Sequence, residues 1–79
     1  MANVEINKDV ANDLALFKLR NIQLEIQEIL KKWKTPSIED FLQQSKNGLL
    51  VESENDAIDL KQLIKEELEL QNLIDQIKR

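Results

Sequence analysis

The chain has 79 residues, of which 42% are hydrophobic and 33% charged, and its formal net charge is −4. A chain this short forms one domain, residues 1–79, and leaves roughly 40% of its unfolded surface in water when folded, so its core must be small. It contains no Cys and no His. The composition therefore excludes disulfides, thiolate chemistry and most transition-metal sites, and the negative charge argues against a general nucleic-acid binder.

The residue types favour helices over strands. Leu, Ile, Glu, Gln and Lys are frequent, Tyr is absent, and the chain holds one Gly and one Pro. Apart from Ile, the frequent residues lose little side-chain freedom in a helix. The sequence therefore predicts an all-α fold.

The first predicted helix covers residues 7–33. Asn7 is placed to cap its start, and Asp9 lies near the positive end of the helix dipole. The C-terminal turn of this helix carries Lys31, Lys32 and Lys34, whose positive charges are favourable at the negative end of the helix dipole. Pro36 then ends the helix, because the residue before a proline is pushed out of the α region.

A short second helix is predicted over residues 36–46. Thr35 or Ser37 is placed to cap its start, and the sequence leaves the choice between them open. The helix ends at Asn47-Gly48, which is typical of a left-handed helix end.

The third predicted helix covers residues 54–78. Ser53 at its start and Asp56 three residues later resemble a capping box, with Asp in place of the usual Glu. At 1.5 Å per residue the first and third helices would each be about 39 Å long. We therefore predict that they form an antiparallel hairpin, with the short helix bracing one end.

One face of the first helix carries apolar residues at alternating spacings of four and three, which is the pattern of a coiled-coil-like seam. The third helix has an apolar arc of its own. We expect the two to face each other in the hairpin. The predicted seam comprises Ala15, Leu19, Ile22, Ile26, Ile29 and Trp33 on the first helix, and Leu60, Ile64, Leu70, Ile74 and Ile77 on the third.

A further set of apolar residues lies roughly opposite the seam on the first helix, and one hairpin partner cannot cover both faces. Leaving even about 400 Å² of apolar surface in water forgoes on the order of 10 kcal/mol. We therefore predict that this second stripe is an interface. The second stripe comprises Val10, Leu14, Phe17 and Leu24, with the polar Asn21 in the gap.

Three occupants of the second stripe remain open. The short helix and residues 49–51 fold back across it, or a second copy pairs with it across a two-fold axis, or a different protein lays a helix on it. The second copy is favoured, because two-fold dimers are the commonest oligomers and pairing remedies a small core. The expectation is a homodimer with a four-helix bundle as its core.

No residue pattern supports catalysis, a cofactor or a metal ion. Without His, Cys and Tyr the chain lacks the usual general bases near neutral pH and the thiol nucleophile. The acidic segment 52–59 has neither the spacing nor the turn glycine of an EF-hand loop. We therefore predict a protein that is not an enzyme and has no cofactor, metal or catalytic site.

The sequence favours a small, acidic, helical protein–protein interaction module that works through its surfaces. One version is an antitoxin-like or regulatory inhibitor that masks a basic protein with an acidic face on the third helix, formed by Glu66, Glu67 and Glu69. A structural helical subunit of a larger assembly is the alternative, and a nucleic-acid-binding regulator is less favoured.

The expected location is the cytoplasm. The absence of Cys gives no indication of an oxidising compartment. The first residues lack the basic and apolar regions of a secretory signal, and the longest apolar run, Leu14 to Phe17, is too short to span a membrane. We therefore expect no membrane partner.

Overall fold

The computed structural model describes residues 8–78. They form three α-helices, α1 (Lys8–Lys32), α2 (Ile38–Lys46) and α3 (Glu54–Lys78). The long helices α1 and α3 pack against each other as an antiparallel hairpin, and α2 packs on α3 at the end where the chain turns. The predicted all-α hairpin with a short intervening helix is confirmed. The predicted cap Asn7 lies outside the described residues.

α1 ends in a backbone motif without glycine. The Thr35 amide donates to the Leu30 carbonyl at 3.0 Å, and the next amide inward, that of Lys34, donates to Lys31 at 3.2 Å. These two bonds form a Schellman motif, in which the residue after the helix adopts a left-handed conformation. Lys34 does so with a φ of 55°. The helix thus ends at Lys32, four positions before Pro36, through its own hydrogen bonds.

α2 begins with a serine cap. The Ser37 hydroxyl accepts a hydrogen bond from the Asp40 amide at 3.1 Å and donates one to the Asp40 carboxylate at 3.0 Å. Of the two caps that the sequence left open, Ser37 is therefore the one used. Thr35 is buried instead, and its hydroxyl donates to the Leu30 carbonyl of α1 at 3.4 Å.

α2 ends at Lys46 and is followed by Asn47 as its C-cap and by Gly48, which has a φ of 75°. The Leu49 amide donates to the Gln44 carbonyl at 2.9 Å, so this end is also a Schellman motif. No atom lies within 4 Å of the position that a Cβ of Gly48 would take. The glycine is therefore needed for its backbone conformation and not for space.

The start of α3 departs from the predicted capping box. The Ser53 hydroxyl donates to the Leu50 carbonyl at 2.8 Å and is hydrogen-bonded to the Ser45 hydroxyl of α2. The Asp56 carboxylate turns across the hairpin to α1. Charge-assisted bonds across the hairpin are stronger than neutral ones, and the Ser53 hydroxyl already has two partners. The Ser53 side chain therefore links the connector to α2 and does not cap α3. The Ser53 carbonyl still accepts the first hydrogen bond of the helix, from the Ala57 amide at 2.8 Å.

The core is concentrated at the turn end of the hairpin. Phe41 of α2 and Leu60 of α3 are fully buried, and they pack with Ile22, Ile26 and Leu30 of α1. Leu30 lies beside the predicted seam and was not part of it. It is buried because α2 adds a third layer at this end.

Candidate functional site

The predicted seam residues lie in the hairpin, either buried or half-buried. On α1, Ala15, Ile22 and Ile26 are buried, and Leu19, Ile29 and Trp33 are half-buried. On α3, Leu60 and Ile74 are buried, and Ile64, Leu70 and Ile77 are half-buried. Leu63 also packs on the core, although it is not part of the predicted seam. Its position next to Leu60 and Ile64, which are in the predicted seam, could have identified it as a core residue.

The second stripe is exposed along its whole length. Its apolar members range from 51% exposed at Val10 to 67% at Phe17, and Asn21 between them is exposed as well. At about 100° per residue, the centre of the stripe lies about 140° around α1 from the centre of the seam. The stripe therefore points away from α3 and is a surface that the hairpin does not use.

No other part of the described chain covers the second stripe. α2 packs on α3 and against the end of α1 near Trp33, where the two ring centroids of Trp33 and Phe41 are 6.2 Å apart. Leu49 and Val51 in the connector are themselves 70% and 76% exposed. The structure does not have the arrangement in which α2 and residues 49–51 fold back across the stripe, because α2 is used at the turn end.

The predicted acidic face on α3 is divided between directions. Glu66 and Glu67 are half-buried and Glu69 is exposed. At about 100° per residue, Glu67 points about 160° away from Glu69, toward the side of α3 that meets α1. Glu66 is also hydrogen-bonded, at 3.4 Å, to Gln62. The three carboxylates do not form one surface for a basic partner.

Acidic side chains instead gather along an open groove of about 430 Å³ between α1 and α3, near the turn end. Ile29 and Leu63 give the groove an apolar portion, and Lys32 is the basic residue in its lining. The acidic residues of this acidic groove are Glu25, Glu28, Asp56 and Asp59. This clustering was not visible in the sequence, since two of the residues come from each helix.

One carboxylate of the acidic groove is bound by α1. Asp56 Oδ2 accepts hydrogen bonds from Lys32 Nζ and from Trp33 Nε1, both at 2.8 Å. The hydrogen bond from Lys32 and then that from Trp33 lower the pKa of Asp56 below its ordinary value. Lys32 also lies 5.4 Å from the centre of the Trp33 ring. Asp56 thus links α3 to the end of α1. The other three carboxylates account for the net negative charge of the groove.

The described part of the chain holds no group of three or more acidic, His or Cys side chains arranged to bind a metal ion. None of its helices has both the length and the hydropathy to cross a membrane. The second stripe and the acidic groove are two candidate functional surfaces, the first predicted from the sequence and the second marked by its clustered charges.

Comparisons with known proteins give no relative from which a role could be transferred. No protein-family model matches the chain, and no curated protein or solved structure matches it. The basis for a functional proposal is therefore the geometry of the two surfaces.

Proposed function

We propose that the protein is a non-enzymatic protein–protein interaction module of the cytoplasm, and that its binding surface is the second stripe of α1. One observation carries this proposal. Four large apolar side chains repeat along one face of α1, and each of them is more than half exposed. They lie on a helix whose opposite face already supplies the hairpin core.

Single exposed apolar side chains are normal on proteins and need no explanation. An apolar patch that continues along several turns of a helix is different, because large contiguous patches mark interaction sites on monomers. The spacing of four and three residues is also the spacing with which a helix presents anchors to a partner helix. The stripe therefore has both the exposure and the periodicity of a helix-binding surface.

The interaction module is tested by photo-crosslinking in the source cells. A photoreactive benzoylphenylalanine is placed at Phe17, which is 67% exposed, and in a matched control at Ile58 of α3, which is 65% exposed. We expect crosslinked protein at Phe17 and little at Ile58. Equal crosslinking at both positions, or none at Phe17, overturns the proposal. Circular dichroism verifies that both labelled chains are helical.

The acidic groove supports a second candidate, an inhibitor that binds a basic protein. Its three carboxylates without an ion-pair partner among residues 8–78, Glu25, Glu28 and Asp59, lie beside apolar side chains. Such a surface would attract a cationic partner and release it at high salt. We expect Glu28→Lys to weaken capture of that partner, whereas Asp75→Lys, an exposed change on α3 outside the groove, leaves capture unaffected. Capture that is insensitive to salt and to Glu28→Lys contradicts this candidate.

A further inference from the structure

The second stripe has the register of a coiled-coil heptad. Its residues follow one another at steps of four, three, four and three. In the heptad abcdefg these steps assign Leu14 and Asn21 to position a. The remaining members of the stripe, Val10, Phe17 and Leu24, take position d. Because the seam toward α3 uses other residues, α1 carries two separate packing registers on one helix.

Charged residues occupy the positions that flank the a and d residues of the second stripe. Asp13 and Arg20 each precede an a residue and take position g, and Lys18 and Glu25 each follow a d residue and take position e. All four are exposed, and among residues 8–78 none of them takes part in an ion pair or side-chain hydrogen bond. Their charges are therefore available to a partner on the stripe.

We propose that the occupant of the second stripe is a second copy of this chain, and that the two α1 helices pair in parallel and in register. This inference rests on the interaction surface proposed above and names its partner. In a parallel pair each g residue faces the e residue five positions later in the other helix. Asp13 then meets Lys18 of the second copy, and Arg20 meets Glu25. Both contacts join opposite charges, and the two-fold axis repeats each of them.

Antiparallel pairing fits the same residues poorly. The antiparallel alignment that joins Leu14 to Leu24 brings the two copies of Arg20 together, and likewise the two copies of Lys18. Like charges in such close contact are unfavourable. Sliding the helices by one heptad pairs opposite charges instead, Asp13 with Arg20 in one direction and Lys18 with Glu25 in the other, but it breaks the apolar register. The first slide leaves Leu24 without a stripe residue opposite, and the second places Leu14 and Phe17 opposite Lys31 and Glu28. The charge pattern and the apolar register together therefore select the parallel orientation.

Asn21 points to the same orientation. In the parallel pair the two copies of Asn21 face each other at an a position, where their amides can hydrogen-bond, an arrangement that specifies register and a two-stranded state. In the antiparallel alignment Asn21 faces Phe17, and its amide is buried without a partner. An unpaired buried amide costs free energy. Asn21 thus favours a second copy over an apolar partner helix.

The hairpin leaves room for this pairing. Because the stripe and the seam are about 140° apart around α1, the partner's α1 approaches from the side away from α3. The assembly then has the two α1 helices in the middle and the two α3 helices outside. This open row of four helices differs from a square bundle, in which the two contact faces of each helix are about 90° apart.

The orientation is tested on the full chain with two charge variants. The acidic variant carries Lys18→Glu and Arg20→Glu, and the basic variant carries Asp13→Lys and Glu25→Lys. In either variant alone, every contact between g and e residues becomes repulsive, whereas a mixture of the two restores four attractive contacts. Sedimentation equilibrium should give a dimer for the wild type and the mixture, and self-association weakened at least about tenfold for each variant alone. Lys61→Glu with Lys65→Glu on α3 makes the same change in charge outside the stripe and should leave the dimer intact.

A single cysteine gives an independent readout of register, because the chain has none of its own. Oxidised Leu24→Cys should form an intermolecular disulfide, since parallel pairing places the two positions opposite each other. In the antiparallel alignment that joins Leu14 to Leu24, the two positions are about 15 Å apart along the helix. Val10→Cys should crosslink as well, and its two copies are at least about 16 Å apart in all three antiparallel alignments. A dimer that neither crosslinks at position 24 nor is restored by mixing overturns the parallel orientation. A wild-type chain that stays monomeric overturns the second copy as partner, and crosslinks at Phe17 to a different protein would then leave the interaction module standing.

Discussion

The two ends of the hairpin are packed very differently. At the turn end, α2 adds a third layer, and Phe41, Leu60 and Ser53 are at most 1% exposed. The open end is formed by the first half of α1 and the second half of α3. Among the described residues at this end, the buried apolar side chains are Ala15 and Ile74. The second stripe begins in this open half of α1 and continues to Leu24, on a face that α2 does not cover.

The comparison shows what a third layer contributes to a two-helix hairpin. Two helices bury one face of each other and leave the remaining apolar surface in water. At the turn end, α2 covers part of this remaining apolar surface. The open end has no such segment in the described residues, and its second stripe stays exposed. The buried core and the surface proposed for binding thus lie toward opposite ends of one helix pair.

The largest expected difference is between the two phenylalanines of the chain. Phe41→Ala removes a fully buried ring at the turn end and should lower the free energy of unfolding by about 3–5 kcal/mol at any protein concentration. Phe17→Ala changes a side chain that is 67% exposed, so its cost should appear only at concentrations where the chain associates. Urea titrations at low and high protein concentration measure both. Equal losses that do not depend on concentration would contradict the division into two ends.

Ser53→Ala tests the polar part of the turn end. The Ser53 hydroxyl is buried and bonded to the Leu50 carbonyl and the Ser45 hydroxyl, so its removal leaves both groups short of a partner. We expect a loss of about 1–3 kcal/mol in urea titrations. Ser37→Ala, which removes the cap of α2, should cost about 1 kcal/mol. A Ser53→Ala chain as stable as the wild type would show that this contact does not support the turn end.

Asn12→Ala should have the opposite sign at the open end. The Asn12 Oδ1 atom is shielded from solvent and has no hydrogen-bond partner within residues 8–78. Alanine removes this unsatisfied oxygen and is also the better helix former. The melting temperature should therefore rise, by an amount equivalent to about 1 kcal/mol. Asn21→Ala is the control for helix propensity alone in a chain kept monomeric by Phe17→Glu, and a gain no larger than in that control would contradict the role given to the buried oxygen.

The smallest expected effect is the pH dependence of the Asp56 contact. Since the pKa of Asp56 is lowered in the folded chain, the contact stabilises the fold above the ordinary value of 3.8 and loses this contribution as pH falls through the lowered pKa. Lys32 is 63% exposed, so Asp56→Asn should cost less than about 1 kcal/mol at pH 7.

The measurement is the difference in unfolding free energy between the wild type and Asp56→Asn, followed from pH 7 to pH 2. This difference should shrink toward the acid end. Asp59→Asn, which removes an exposed carboxylate of the same groove, should give a difference near zero at pH 7. A difference for Asp56→Asn that stays constant down to pH 2 would mean that its carboxylate charge does not contribute.

The sequence alone determined the three helices, their approximate bounds and the two apolar faces of α1. These features depend on residues within about four positions of one another: the caps near Ser37, the glycine at position 48, and apolar spacings of three and four. Local rules also predicted the hairpin, because two long helices of equal length joined by a short helix have few other ways to pack.

The tertiary structure decided which distant groups meet. Asp56 is bonded to Lys32 and Trp33, more than twenty positions away, and not to its own helix start. Leu30 is buried and the second stripe is left open for one reason, the place where α2 packs. The positions where helices begin and end depend on residues within about one turn of each other, whereas the burial of Leu30 and the bonds of Asp56 depend on how separate segments pack in space.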